Sequence, residues 1–146
     1  MSEGLARPLT PDDLIQVAQV ITNRFERYKR VTGRSFLNAV DPSVVMRRLL
    51  DGSVEARMVG GIVVCYQIGS PWYSDVALLQ ECLCLRLYPG GSFDDVPVFL
   101  EYEARQRGCA GVGAATALAS GQRALIRHYE KAGWVMQAHE LYKELT

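Results

Sequence analysis

The spacing of apolar residues changes repeatedly along the chain, which predicts a mixed α/β fold. Apolar residues three and four positions apart, such as Leu14, Val17 and Ile21, indicate an amphipathic helix. Short apolar runs bounded by glycine or proline indicate strands. The predicted order is β-α-α-β-β-β-α-β-α-β. The expected bounds are a strand at 5–8, a helix from 11 that ends at 33, a helix at 43–50, strands at 54–59, 61–68 and 77–88, a helix at 95–106, a strand at 109–118, a helix at 122–132 and one or two strands within 134–145.

The longest apolar run, at 77–88, predicts a central strand that is buried on both faces. The turn Pro89-Gly90-Gly91-Ser92 ends it, and a helix follows. In this arrangement the amides of the turn converge with the partial positive charge of the helix N-terminus. A plain tight turn has the same sequence pattern. The sequence therefore indicates either an ordinary turn or an anion-binding corner.

Length and charge narrow the classes of function. The chain has 146 residues, with 16 lysines and arginines against 16 aspartates and glutamates. We expect one domain, 1–146, with its own core. A net charge of zero provides no basic field for nucleic acid. No apolar run reaches the roughly 18 residues that a membrane helix needs, and the N-terminus lacks a secretory signal pattern. We therefore expect a cytoplasmic protein without nucleic-acid or membrane partners.

The four cysteines predict no metal site. Cys82 and Cys84 lie two positions apart in an expected strand, so they should share one face. The two histidines, His128 and His139, do not complete a tetrahedral zinc site at the usual spacings. Buried free thiols in a reducing compartment are the favoured interpretation.

Three further residues are candidates for a site. Glu81 is the one acid within the central strand, where burial could raise its pKa and make it a general base. A carboxylate that reaches water is the alternative. Trp72 and Tyr73 are adjacent in a polar loop. They could line a substrate cleft or cover the edge of the sheet.

The C-terminal part of the chain resembles a known family. Residues 128–134 read HYEKAGW and residues 140–145 read ELYKEL, which is similar to the closing signature of the GNAT family of N-acetyltransferases. Residues 7–14, RPLTPDDL, resemble the opening of that family. The middle of the chain, 60–81, is similar to small GNAT proteins that are common in phage and prophage genomes. The resemblance covers nearly the whole chain and agrees with the predicted order of elements.

This resemblance implies the GNAT-like acyl-CoA N-acyltransferase fold and transfer of an acetyl group from acetyl-CoA to an amine. The family holds the CoA pyrophosphate on the loop after its fourth strand, and backbone amides of that strand bind the thioester. Carried over to this chain, Tyr129 would protonate the leaving thiolate, and Glu81 or a water would deprotonate the amine. A tyrosine that only packs at the sheet edge is the alternative for Tyr129. The implied cofactor-binding residues are Leu85, Leu87, Gly90, Gly91, Ser92 and Phe93.

The phosphate loop departs from the family pattern. That pattern reads P-x-x-R-G-x-G, whereas this chain has no arginine there and places Asp94 and Asp95 where the phosphates would lie. A carboxylate about 4 Å from a phosphate oxygen could cost about 4 kcal/mol near a protein surface. Two hypotheses follow. One is an acetyl-CoA-dependent N-acetyltransferase that acts on a small-molecule or protein amine. The other is a degenerate, non-catalytic GNAT-fold binding or regulatory protein. The resemblance also suggests homodimers that pair through their last strands.

Overall fold

One mixed sheet with helices on both faces forms the fold in the computed structural model, which describes residues 4–115, 122–138 and 141–145. A short 3₁₀ helix, Ser35–Ala39, follows the first α-helix and was not expected from the sequence. The other elements are β1 (Ala6–Arg7), α1 (Pro11–Thr32), α2 (Pro42–Asp51), β2 (Glu55–Val59), β3 (Ile62–Gly69), β4 (Leu78–Arg86), α3 (Asp95–Gln106), β5 (Gly111–Ala114) and α4 (Gln122–Lys131).

The sheet is antiparallel in its first part and parallel at its last pair. Its strands lie in the order β1-β2-β3-β4-β5. Neighbours from β1 to β4 are antiparallel, and β5 pairs parallel with β4 after the α3 crossover. The predicted mixed α/β class is therefore confirmed, and the helix between β4 and β5 explains why this pair is parallel.

Local capping explains where the first two helices begin and end. Thr10 caps α1 in a reciprocal capping box with Asp13, and Gly33 ends the helix in a left-handed conformation with φ 66°. The Asp41 side chain accepts from the Ser43 amide at the start of α2. These interactions join residues that are two or three positions apart. The sequence signals for both helices are confirmed because capping is local.

Each face of the sheet carries a separate apolar cluster. One face packs against α3 and α4 and includes Tyr66, Leu79, Phe99 and Tyr129. The opposite face packs against α1 and α2 and includes Val17, Phe25, Met58, Leu83 and Leu85. The first face is called the α3/α4 face below, and the second the α1/α2 face. The position of a residue along β4 decides which of these surroundings its side chain meets.

A β-bulge in β4 changes which face of the sheet its side chains occupy. Cys65 pairs with Leu83, but the next residue of β3, Tyr66, pairs with Glu81, so Cys82 is an extra residue without an opposite partner. The alternation of faces is interrupted there. Cys84 consequently belongs to the α3/α4 face and Cys82 to the α1/α2 face. The prediction that these two cysteines share one face is wrong, because it assumed a regular strand.

The predicted C-terminal strands are also absent from the described residues. Residues 134–138 and 141–145 contain no strand. Tyr142 instead packs edge-on against Phe36 of the 3₁₀ helix, with ring centroids 6.0 Å apart, and Asn38 donates to Glu144 Oε2 at 2.9 Å. These contacts hold 141–145 against the 3₁₀ helix, so it is not paired at the sheet. The predicted strand 109–118 is shortened to Gly111–Ala114, and its last residues lie outside the described part of the chain.

Candidate active site

Glu81 and Tyr129 form a buried polar pair on the α3/α4 face. Glu81 is 1% exposed and Tyr129 is 4% exposed. Neither carboxylate oxygen of Glu81 nor the hydroxyl of Tyr129 has a hydrogen-bond partner among the residues that the structure describes. An unpartnered buried polar group costs roughly 1–3 kcal/mol. Three such atoms in one place call for a physical explanation, such as a ligand or a water that completes their hydrogen bonds.

The two groups perturb each other's protonation. Burial raises the pKa of Glu81 to about 8. The Ala115 amide and the Tyr129 hydroxyl lie close enough to offset part of that rise, although neither reaches hydrogen-bonding geometry with the carboxylate. Burial, with the nearby Glu81 charge second, also raises the pKa of Tyr129. Near neutral pH the pair therefore holds a protonated phenol beside a carboxyl group that is close to its titration point.

Stacking on Trp134 fixes the position of Tyr129. Its ring stacks on Trp134, with centroids 4.5 Å apart and an interplanar angle of 29°. The Trp134 indole donates to Glu101 Oε2 of α3 at 3.2 Å. Trp134 thus braces the phenol of α4 against α3. Tyr129 is thus packed within the apolar cluster of the α3/α4 face, which agrees with a packing role as well as with a role in a site.

The loop after β4 turns its carbonyls to one side. Gly90 and Gly91 have φ values of 102° and 73°, which glycine adopts readily. Arg86 donates to the carbonyls of Tyr88 at 3.1 Å, Gly90 at 2.8 Å and Gly91 at 3.3 Å. Its guanidinium also lies 5.3 Å from the centroid of the Phe93 ring. Arg86 therefore holds the loop from the end of β4, a role that the sequence analysis missed.

Four backbone amides of this loop have no acceptor among the described residues, so they could donate to a ligand. Within the described residues, the amides of Gly90, Gly91, Ser92 and Phe93 make no hydrogen bond. They adjoin the N-terminus of α3, where the helix dipole adds positive potential. This agrees with the predicted anion-binding corner, although a turn without a ligand has the same backbone.

The β2–β3 turn supports the same loop from behind. The Gly61 amide donates to the Gly90 carbonyl at 3.0 Å, and the Gly61 carbonyl accepts from the Leu87 and Tyr88 amides at 2.8 and 3.0 Å. A Cβ added at Gly61 would lie 2.0 Å from the Tyr88 carbonyl oxygen. A glycine pair between two expected strands indicates a hairpin turn, but it gives no sign of this contact, which joins segments almost thirty residues apart.

Asp94 is directed at α4. Its Oδ1 lies 2.5 Å from His128 Nδ1, and its Oδ2 accepts from Lys131 Nζ at 3.0 Å. His128, and secondly Lys131, lower the pKa of Asp94. The ring of Phe93 stacks on His128 with centroids 5.8 Å apart. Although Asp94 occupies the N-cap position of α3, its side chain makes no capping bond. The Lys131 ammonium and the His128 ring therefore both engage the carboxylate that the sequence placed near the phosphates.

The pairing of β4 with β3 determines which β4 amides point toward β3 and which point away from it. The Leu87 amide is engaged with Gly61, and alternation along an antiparallel strand directs the Leu85 amide to the same neighbour. The amides of Cys84 and Arg86 point to the opposite side, where pairing with the described part of β5 ends at Glu81. Of the β4 amides at this end of the strand, those of Leu85 and Leu87 are therefore directed to β3, and those of Cys84 and Arg86 face away from it.

The predicted substrate-binding aromatics lie elsewhere. Trp72 is 94% exposed and Tyr73 is 71% exposed, and their rings contact each other with centroids 5.6 Å apart. Such exposure does not fit the interpretation in which they cover the sheet. The structure does not bring them into contact with Glu81 or Tyr129. Across the described ranges no cluster of three or more possible metal ligands occurs, and no helix there is long and apolar enough to cross a membrane.

Comparison with known proteins identifies the class of fold but does not identify an activity. No family model matches the sequence, and no curated protein matches it. A probable acetyltransferase is similar with a TM-score of 0.62 at 12% identity, over 97% of this chain and 96% of that chain. A possible acetyltransferase from Clostridium difficile 630 gives 0.61 at 14%, over 97% and 96%. A transcriptional regulator from Bacillus halodurans C-125 gives 0.62 at 16%, over 96% and 98%.

These similarities define the class of fold. The mixed α/β fold is that of the GNAT-type acetyltransferase structures, over nearly the full chain. At 12–16% identity the likeness extends to the fold alone. A fold can carry unrelated activities, so function has to be argued from the site.

Proposed function

We propose that this chain is an acetyl-CoA-dependent N-acetyltransferase that moves an acetyl group to an amine. The buried, unpartnered Glu81–Tyr129 pair is the observation that carries the proposal. Folding tolerates such groups where a substrate completes their hydrogen bonds. The likeness to acetyltransferase structures supplies the reaction class in which a base and an acid of this kind work together.

The two side chains have complementary roles in this reaction. Acetyl-CoA supplies an activated acetyl group as a thioester. As the new N–C bond forms and the C–S bond breaks, Glu81 accepts the proton that leaves the amine, directly or through a water. Tyr129 donates its hydroxyl proton to the sulfur. The pKa of Glu81, about 8, suits a base that works near neutral pH.

The loop residues fit the pyrophosphate of CoA. The amides of Gly90, Gly91, Ser92 and Phe93 are the proposed hydrogen-bond donors to the phosphates. Arg86 binds the Gly90 and Gly91 carbonyls, so these oxygens face the guanidinium rather than the phosphates. The Cys84 and Arg86 amides are the proposed contacts to the thioester end. Asp94 stays paired with His128 and Lys131, which reduces its repulsion of a phosphate. The acceptor is a small-molecule or protein amine, and the proposed setting is the cytoplasm.

A degenerate, non-catalytic protein is the second candidate. The loop has no arginine of its own, and two of its side chains, Phe93 and Asp94, are bound to α4. These contacts give the loop a structural role that needs no ligand. One of the similar structures is a transcriptional regulator. A similar fold is therefore also found in a protein with a regulatory name, and a fold does not determine the activity.

A thermal melt with acetyl-CoA separates the two candidates. A ligand at 100 times its dissociation constant adds about 2.7 kcal/mol of stability, which for a chain of this length raises the midpoint by roughly 5 °C or more. S-acetylpantetheine lacks the phosphates, so it should give a smaller shift if the loop binds them. No shift with millimolar acetyl-CoA would contradict the acetyltransferase proposal and support the non-catalytic one.

Amine turnover then tests the chemistry. Release of free CoA thiol is measured with a panel of amines for the wild type and Tyr129→Phe. Loss of the general acid should lower turnover about 10²-fold or more, with the acetyl-CoA thermal shift retained. Tyr102→Phe, a change to a half-buried tyrosine of α3, is the matched control and should keep both properties. Equal turnover by wild type and Tyr129→Phe would remove the proposed role of Tyr129.

A further inference from the structure

A groove of about 370 Å³ lies at one end of the β3–β4 pair, and nothing above assigns it a role. None of its seven lining residues carries a formal charge. β3 contributes Gln67, β4 contributes Leu78 and Gln80, and the connecting loop contributes Ser70 and Pro71. The groove therefore combines apolar surface with a few uncharged hydrogen-bonding groups, which is the usual make-up of a small-molecule site.

Two glutamine side chains lie next to each other in this groove. Gln67 and Gln80 are direct cross-strand partners, so their Cβ atoms are about 5 Å apart on one face. Gln67 donates to the Ser53 carbonyl at 3.3 Å. The Gln80 side chain makes no hydrogen bond within the described part of the chain. Together they present amide donors and acceptors toward the groove.

Gly113 of β5 makes room for the Gln80 side chain. A Cβ added at Gly113 would lie 2.5 Å from Gln80 Oε1. Gln80 also alternates with Glu81 along β4, so the two side chains leave the strand on opposite faces. The groove is thus separate from the Glu81–Tyr129 pair, and what it binds does not depend on acetyl transfer.

Two exposed aromatic residues come directly after Pro71 in the sequence. Pro71 lines the groove, and Trp72 comes directly after it with 94% of its surface exposed. Tyr73 contacts the indole edge-on at an interplanar angle of 88°. An indole left in water beside a groove is a surface for a flat, partly apolar ligand.

We propose that this groove binds an uncharged hydroxylated ring, as found in a sugar residue. Neighbouring hydroxyls of such a ring can both donate to and accept from the Gln67 and Gln80 amides. Its C–H face can pack on the exposed indole of Trp72. The lining offers no charge that would compensate an ionic ligand on leaving water.

The test is a titration of the full chain, labelled with ¹⁵N, with methyl α-glucoside. This probe has no amine and cannot accept an acetyl group, so the result is independent of the proposed enzyme activity. A single ring is expected to bind in the millimolar range, so the titration extends to about 50 mM. The side-chain amide signals of Gln67 and Gln80 and the Trp72 indole signal should shift and saturate. The Trp134 indole and the Gln19 side-chain amide should not shift.

Substitutions sharpen the test. Gln80→Ala should weaken binding roughly 3- to 10-fold, as expected for one lost neutral hydrogen bond. Gly113→Ala should weaken it as well, because the new methyl displaces the Gln80 amide without reaching the groove itself. Gln19→Ala, at an exposed position of α1, is the matched control and should leave binding unchanged. Well-dispersed spectra show that each variant is folded.

Four results would overturn the proposal. The first is the absence of saturable shifts, and the second is shifts spread over the whole surface. The third is equal affinity of Gln80→Ala and wild type for the glucoside. The fourth is the same shifts produced by a blocked tripeptide but not by the glucoside. The last result would identify a peptide-binding groove. Signals that change with protein concentration alone would identify contact with a second copy and would also contradict the sugar proposal.

Discussion

Glu81 carries a carboxyl group into the α3/α4 face with 1% exposure and no hydrogen-bond partner in the described structure. The β-bulge at Cys82 changes the facing of the β4 side chains that follow, so Leu83 and Leu85 pack on α1 while Glu81 meets Tyr129. A regular strand would have put Glu81, Leu83 and Leu85 on one face. One extra residue therefore decides which side chains share a face with the only acid in the strand.

We expect Glu81→Gln to stabilise the protein at high pH. The pKa of Glu81 is raised from 4.5 to about 8, so between these values the folded protein keeps a proton that the unfolded chain has released. The stability contributed by this group is complete below about pH 4.5 and is lost as the pH rises through about 8. Above pH 8, Glu81→Gln should raise the free energy of unfolding by roughly 1–3 kcal/mol, and near pH 4.5 it should have little effect.

Urea unfolding at pH 4.5 and pH 9 measures this difference. Glu130→Gln replaces an exposed glutamate of α4 and should be neutral at both pH values. A Glu81→Gln variant that is less stable than wild type at pH 9 would show that the buried carboxylate is satisfied after all.

At the scale of elements, the loop after β4 is held by three others. Arg86 at the end of β4 binds its carbonyls, the β2–β3 turn packs behind it, and α4 reaches its Phe93 and Asp94 side chains. The contacts of the β2–β3 turn and of α4 join segments distant in sequence, whereas Arg86 lies two to five residues from the carbonyls that it binds. The loop conformation is therefore a property of the packed elements rather than of its glycines alone.

Gly61→Ala should disrupt that packing. The new methyl would lie 2.0 Å from the Tyr88 carbonyl oxygen, and backbone on both sides leaves little room to relax. Overpacking of this kind costs typically about 1–3 kcal/mol, measurable by urea unfolding. Gly69→Ala is the control, since an added Cβ there meets nothing within 4 Å. Equal stability of both variants would mean that the turn and the loop move apart freely.

Asp13 ties the start of α1 to β1 and to the loop after β4. It accepts from Arg7 Nη1 of β1 at 2.6 Å, from the Tyr88 hydroxyl at 2.9 Å and from the Thr10 amide at 2.8 Å, and it is 2% exposed. Arg7 lowers the pKa of Asp13 most, with the Thr10 amide and Tyr88 adding to the effect. Its stabilisation is thus present above the ordinary aspartate pKa near 4 and is lost as the pH falls below it.

Asp13→Asn should therefore lower the free energy of unfolding by about 2–4 kcal/mol at pH 7 and by much less at pH 2. Thermal or urea unfolding at the two pH values measures it. Asp12→Asn changes the neighbouring exposed aspartate in the same helical turn and should have a small effect at both. Identical losses in the two variants would argue against the buried network.

At the scale of the whole molecule, two apolar clusters enclose the inner strands of the sheet. Ile62, Val63 and Val64 of β3 are all 0% exposed, with consecutive residues facing opposite clusters. Hydrogen exchange should be slowest in this part of β3, by several orders of magnitude relative to residues 135–138 and 141–145. Those two segments have exposed side chains and no strand pairing. Comparable protection in both regions would contradict the absence of strands there.

The part of the fold that could be predicted follows from local interactions. Capping at Thr10 and Asp41, the glycine at the end of α1 and the bounds of α3 are encoded within a few residues. The last strands were predicted from composition, but a strand needs a partner, and residues 141–145 contact the 3₁₀ helix instead. Glu81 and Tyr129 were found as candidates separately. Their proximity depends on the bulge and on the packing of α4.

The sequence by itself indicated α1 to α4, β1 to β5 in their order along the chain and the glycine turn after β4, because periodicity and turn residues act over a few positions. Glu81 was indicated as an acid in an apolar strand, whereas Tyr129 was indicated by the family resemblance. Only the tertiary structure decided that Glu81 faces Tyr129, that Arg86 and Gly61 hold the loop and that Asp94 is neutralised by α4. The contacts of Gly61, Asp94 and the Glu81–Tyr129 pair join residues 26 to 48 positions apart. Register and packing are set by the balance of burial over the whole chain, which no short stretch of sequence contains.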